Sequence, residues 1–150
     1  MAELTAEIRN EILALVSEFH WRLDHGHADK LHELYAEDGL SVGPMGVMEG
    51  RETIKAWGER RSKINAGIVR HFSGGTRVYF EDGVLKSTTY YMTFRDSQPD
   101  PLHPASVGEF QEEYVNVEGK WLIQRREIVP VFGAENAAKH AAKVAAGGEK

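Results

Sequence analysis

The chain has 150 residues, long enough for one domain to bury most of its apolar surface without covalent staples. It has no cysteine, which excludes disulfides, thiolate metal sites and a thiol nucleophile; its net charge of −5, without a basic cluster, argues against a nucleic-acid surface. No apolar run approaches the ~20 residues of a membrane span, and the acidic start MAELTAEIRN lacks the layout of a signal peptide, so cytoplasmic residence is expected.

From Ile8 through Ile12, Leu15, Val16 and Phe19 to Leu23, apolar residues recur at spacings of three and four. This predicts an amphipathic first helix, capped by Thr5, running to Asp24 and stopped by His25-Gly26. A second helix is expected over Ala28 to Ala36, ending in a turn at Glu37-Asp38-Gly39. Leu40 to Val42 and Val47 to Glu49 form a short hairpin across Gly43-Pro44-Met45-Gly46. A third helix, Gly50 to Ile64, turns Ile54, Trp57 and Ile64 to its buried side.

After Gly67 the period changes from helical to alternating, and four strands are expected: Ile68 to Phe80, Val84 to Arg95, Ser106 to Val117 and Trp121 to Val131. Asp82-Gly83 and Glu118-Gly119 are hairpin turns, and the loop Ser97 to Pro104 is placed to overhang a pocket. In the first long strand Val69, His71 and Ser73 share one face, and Gly74-Gly75 invites a bulge that bends the strand. A histidine on the concave side of a bent sheet looks into a cavity. Residues 134–150 form an Ala/Lys-rich tail, helical from Ala134 to Ala146, beyond a single domain of residues 1–133. Helices followed by a meander make an α+β plan.

The stretches LDHGHADKLHELYAEDG, GRETIKAW, RHF and GKWLIQRREIVPVF, within a plan of helices and curved meander, resemble the NTF2-like superfamily over about Ile8 to Phe132. Within it the chain looks most like the SnoaL-like branch of scytalone dehydratase, bacterial bile-acid dehydratase and hexachlorocyclohexane dehydrochlorinase. The resemblance implies a cone of three N-terminal helices packed on a curved antiparallel sheet. It also implies a catalytic dyad at Asp24 and His71, with Arg126 at the place of the dehydrochlorinase arginine. Where the dehydratases carry tyrosines near the helix-one Asp, this chain has Phe19, His20 and Trp21.

Chemically, a histidine oriented by a buried Asp is a general base suited to taking a C–H proton beside a leaving group or a carbonyl. The same pair also serves as a satisfied core contact. Arg126 shares a face with Ile128 and Pro130, to bind an oxyanion or halide or to pair with a buried acid. Tyr90, with Thr88 and Met92, is expected to face the pocket as a proton donor or oxyanion partner. Val69, Met45, Met48, Ser106, Gly108, Phe110 and Ile128 complete the expected wall, while Phe72, Tyr91, Gln111, Glu113 and Arg125 face outward. His25 and His27 beside Asp24 and Asp29 lack a metal-binding spacing, and no nucleotide-binding or serine-elbow motif occurs. The expected protein is a lyase or isomerase of the dehydratase or dehydrohalogenase type, free of cofactor and metal, acting on a small, mostly apolar, cyclic molecule. It is expected to form a homodimer or larger homo-oligomer. The alternatives are a non-catalytic ligand-binding or subunit-assembly module, and an enzyme using a lone carboxylate base such as Glu109 or Glu112.

Overall fold

The computed structural model describes residues 2–64, 67–132, 135 and 142–147. Helix α1 spans Ala6–Asp24, with the Thr5 side chain accepting the Ile8 N–H as its cap. A 3-10 helix over Ala28–Leu34 follows, then strands β1 (Tyr35–Gly43) and β2 (Gly46–Glu49), and helix α2 (Arg51–Lys63). The long strands β3 (Val69–Glu81), β4 (Val84–Arg95), β5 (Ser106–Val117) and β6 (Lys120–Phe132) complete one sheet in the order β2-β1-β6-β5-β4-β3. The cone of helices on a curved sheet is the architecture expected. The sheet is mixed rather than purely antiparallel, because β1 runs parallel to β6.

The second helix stops at Leu34, and Tyr35 already pairs with Ile123, so Glu37, Asp38 and Gly39 lie within a strand. Pairing with β6 overrides their turn preference, and the surplus residues are absorbed in a register shift between Tyr35 and Leu40. Arg51 Nε fixes this corner by donating to the Tyr35 carbonyl at 3.0 Å. Ile12, Val16 and Phe19 of α1, Leu31 and Leu34, and Ile54 and Trp57 of α2 pack on Val78, Leu85, Tyr114 and Ile123 of the sheet. The expected tail helix Ala134 to Ala146 lies mostly outside the described residues; 142–145 is helical and buries Val144 in this same core.

The Gly74-Gly75 bulge is present and decides which side chains face inward. On the turn side of it Arg77 pairs with Thr88, and beyond it Gly74 pairs with Tyr90 and His71 with Thr93. The one-residue slip places His71 on the face of Thr93 and Tyr91 instead of that of Met92 and Tyr90. Thr88, Tyr90 and Met92 therefore face outward, with Tyr90 63% exposed, and Tyr91 is buried. This corrects the expected facing of β4. The facing of β5 and β6 is as expected, with Ser106, Gly108 and Phe110 inward and Arg126 opposite Glu112.

Helix α2 crosses the 3-10 helix at Gly58, where an added Cβ would fall on the Ala28 carbonyl. In an ordinary helix interior Gly→Ala is stabilising by up to about 1 kcal/mol. Here Gly58→Ala is expected to destabilise by about 1–3 kcal/mol, since a backbone carbonyl cannot swing aside as a side chain can. The urea midpoint measures it; an unchanged or raised midpoint would mean the two helices separate freely.

Candidate active site

Asp24 is the last residue of α1, and β3 passes directly beyond it. Its Oδ1 lies 2.6 Å from His71 Nδ1, and its Oδ2 accepts the His71 main-chain N–H at 2.7 Å. The two side chains are 5% and 12% exposed. A carboxylate can only accept, so Nδ1 carries the proton and Nε2 keeps the lone pair. Burial pushes the His71 pKa below its ordinary value; the hydrogen bond and charge of Asp24 oppose this, while Arg95 and Arg126 add to it. The ring is neutral at neutral pH, ready to take a proton at Nε2.

Behind His71, the His20 ring stacks at 5.4 Å and 13°. Arg126 Nη2 donates to His20 Nε2 at 3.1 Å, so His20 Nδ1 bears the hydrogen and donates to Ser73 Oγ at 3.1 Å. Burial, with the charge of Arg126, lowers the His20 pKa to about 2. Arg126 Nη1 donates to Glu112 Oε1, and Glu112 Oε2 accepts from the Tyr114 hydroxyl at 2.8 Å. The Arg126 guanidinium sits over the rings of Phe19 (3.8 Å) and Phe110 (4.1 Å). Of the two roles open to Arg126, the structure therefore places it in a buried ion pair. Glu112 is thereby occupied as a counterion, and Glu109 lies on the outer face of β5.

Two adjoining cavities of about 80 and 50 Å³ open beside His71, and Met45, Phe110 and Ile128 line both. Ser106 lines the larger, and Met48 and Arg126 the smaller. Val69 and Gly108 face inward without lining either; a Cβ at Gly108 would stand 3.0 Å from the Tyr91 ring. Tyr91 occupies the place expected of Tyr90, stacked on Phe110 at 4.2 Å with its hydroxyl 3.0 Å from Ser106 Oγ. Pro44 and Met45, at the β1–β2 turn, close the larger cavity, and no residue of the 97–104 loop lines it. His25 and His27 each stack on Trp21, at 4.8 and 5.4 Å.

Sequence reasoning passed over His20, Tyr91, Arg61, Arg95 and Trp57's place in the cavity wall. A signal existed for Arg61, which stands four residues after Trp57 and seven after Ile54 on the buried stripe of α2.

The SnoaL-like domain family matches residues 4–127. Among solved structures, the chain is similar to an NTF2-like protein with a cystatin-like fold from Novosphingobium aromaticivorans. The two are 25% identical, over 90% of this chain and 88% of that one, with a TM-score of 0.73. A protein of unknown function with a cystatin-like fold from Nostoc punctiforme is 21% identical over 86% of this chain and 95% of that one, with a TM-score of 0.72. A candidate scytalone dehydratase from Novosphingobium aromaticivorans is 20% identical over 83% and 84%, with a TM-score of 0.70. No curated protein matches the sequence significantly.

The two stacked histidines make stability depend on pH. In the fold both resist protonation at the pH where an unfolded histidine accepts a proton, about 6.5, so below that value the unfolded state binds more protons. Stability is full above pH ~6.5 and falls as pH drops through it, by up to about 1.4 kcal/mol per pH unit for each ring. Urea midpoints recorded from about pH 7 down to 5 should decline, and His20→Gln should flatten the decline by up to one proton's worth. A midpoint flat over that window would contradict the burial of neutral rings.

Proposed function

This chain belongs to the SnoaL-like domain family, and we propose that it is a lyase or isomerase of the dehydratase or dehydrohalogenase type, needing no cofactor. The observation that carries this reading is the 2.6 Å contact between His71 Nδ1 and Asp24, with the ring on the wall of both cavities. His71 Nε2 takes a C–H proton from the substrate. The freed electron pair forms a double bond as a neighbouring group leaves, or is reprotonated at another carbon in an isomerisation. Asp24 holds the tautomer and stabilises the imidazolium that forms. Tyr91, not Tyr90, supplies a hydroxyl on the cavity wall, and Met45, Met48, Phe110 and Ile128 supply apolar contact. Arg126 acts from behind, as a fixed charge already matched by Glu112.

A second copy of this chain is the partner we propose for the outer face of the sheet. Phe72 pairs with Met92, Met92 with Val107 and Val107 with Phe132, an apolar row across four strands in which Phe72, Met92 and Phe132 are all exposed. A continuous row of this kind is unlike the scattered exposed apolar residues normal on a monomer. The same row supports the alternative of a subunit-assembly module without chemistry.

Two experiments test these readings. In a screen of cyclic alcohols, halides and enones, His71→Ala is expected to lower turnover by about 10²–10⁴-fold and Asp24→Asn to lower it in the same direction. Wild-type turnover by His71→Ala would end the base mechanism and leave the assembly module standing. Sedimentation equilibrium is expected to give a dimer mass for the wild type and a monomer for Phe72→Asp; a monomeric wild type would remove the second copy.

A further inference from the structure

The smaller cavity is walled by two residues whose N–H donors the protein leaves without acceptors. Trp57 reaches it from α2 and is only 8% exposed. Its indole Nε1–H is buried and has no acceptor among the described residues. Arg126 reaches it from β6, and its two Nη groups donate to Glu112 and His20. Its Nε–H is buried and, like that of Trp57, has no acceptor among the described residues. A buried donor in that condition costs folding free energy, and native proteins leave few of them. Two on the wall of one small cavity call for an acceptor that comes from outside the chain.

Other polar groups of the same wall are satisfied. His20 is engaged at both ring nitrogens, and the Tyr35 hydroxyl is hydrogen-bonded to Ser41. The wall therefore presents two N–H donors beside the lone pair of His71 Nε2, with Phe19, Phe110 and Ile128 as apolar surface. Its volume of about 50 Å³ exceeds the ~10–15 Å³ that one water requires and falls far short of the ~150 Å³ that holds a benzene. It has room for one functional group and not for a ring.

We propose that the smaller cavity receives the carbonyl oxygen of an uncharged ligand, bound through the Trp57 Nε1–H and the Arg126 Nε–H. A carbonyl oxygen has two in-plane lone pairs and no hydrogen, so it meets two donors and leaves the His71 lone pair free. A hydroxyl would bring a hydrogen that competes for that lone pair, and a carbon-bound halogen is a poor acceptor. Glu112 already matches the charge of Arg126, so an uncharged oxygen suits the site. The site rests on the two unpaired donors; its part in the reaction rests on the proton-abstraction reading above. There His71 Nε2 takes the proton from the carbon beside the carbonyl, and the electron pair of that C–H bond moves onto the oxygen as an enolate. The two donors stabilise the charge where it develops. The pair then returns to expel a group from the next carbon, or captures a proton at another carbon. So read, the substrate is a carbonyl compound and not a simple halide.

The test is a titration followed by proton–nitrogen NMR at neutral pH, reading the Trp57 indole N–H. The signal is assigned by its loss in Trp57→Phe or, should that variant fail to fold, by elimination with Trp21→Phe and Trp121→Phe. The probes are acetone, 2-propanol and 2-chloropropane, which match in size and differ in the group offered. Acetone is expected to move the Trp57 N–H proton downfield to saturation, and the Arg126 Nε–H signal with it. It is expected to bind about three- to tenfold more tightly than either other probe, the ordinary worth of a neutral hydrogen bond. Trp57→Phe is expected to lower acetone affinity by about the same factor and to leave 2-chloropropane affinity where it was. His71→Ala is expected to keep the acetone preference even where it abolishes turnover, so the oxygen site and the base mechanism can fail separately. An unmoved indole signal, as a site filled by water alone would give, would overturn the proposal. Equal affinity for the three probes, or a folded Trp57→Phe that binds acetone like the wild type, would overturn it too.

Discussion

The carboxylate of Asp24 grips His71 twice, once at the ring and once at the main chain, and the arrangement of the site follows from that grip. The main-chain contact ties the end of α1 to β3. The ring contact chooses which nitrogen carries the proton. A single hydrogen bond would set one of these; two from one carboxylate set position and protonation together.

Behind the ring, charge is handled in the opposite way. Arg126 and Glu112 stand directly across from each other on neighbouring strands, fully buried, with Tyr114, His20 and two aromatic faces completing their surroundings. Such a pair rarely adds net stability over an apolar substitute, because desolvating two ions consumes most of their attraction. Its value here is positional. Arg126 requires the lone pair of His20, which keeps that ring neutral and leaves an uncharged plane for His71 to stack against. A charge on His20 would oppose any charge on the His71 ring stacked 5.4 Å away.

Much of this was legible in the sequence. The helical stripe of α1, the Thr5 cap, the two hairpin turns and the limits of β4 and β5 stand as the periodicities indicate, because each is written in local chemistry. The pairing of Asp24 with His71 was legible only by resemblance, since no local rule links residues 47 apart in sequence. What failed were matters of parity and long-range pairing. Gly74-Gly75 announced a bulge, but a bulge displaces one strand against its neighbour by one residue, and that step exchanged Tyr90 for Tyr91 and hid Arg95. The strand at Tyr35 was hidden for a related reason: its partner, β6, lies nearly ninety residues on, and Glu-Asp-Gly in isolation favours a turn. Arg61 went unremarked because an arginine beside another arginine suggests a solvated surface, whereas the helical phase of Ile54 and Trp57 carries it inward.

One contact has a meaning apart from chemistry. β3 is the last strand of the sheet, with β4 its one strand neighbour among the described residues, and a strand so placed offers its free amides and carbonyls as a template for any passing chain. At the stretch that matters the template is blocked: Asp24 occupies the outward N–H of His71, and the Arg70 side chain occupies the carbonyl of Val69 at 2.7 Å. Asp24 thus also guards this stretch of the edge against pairing with another chain.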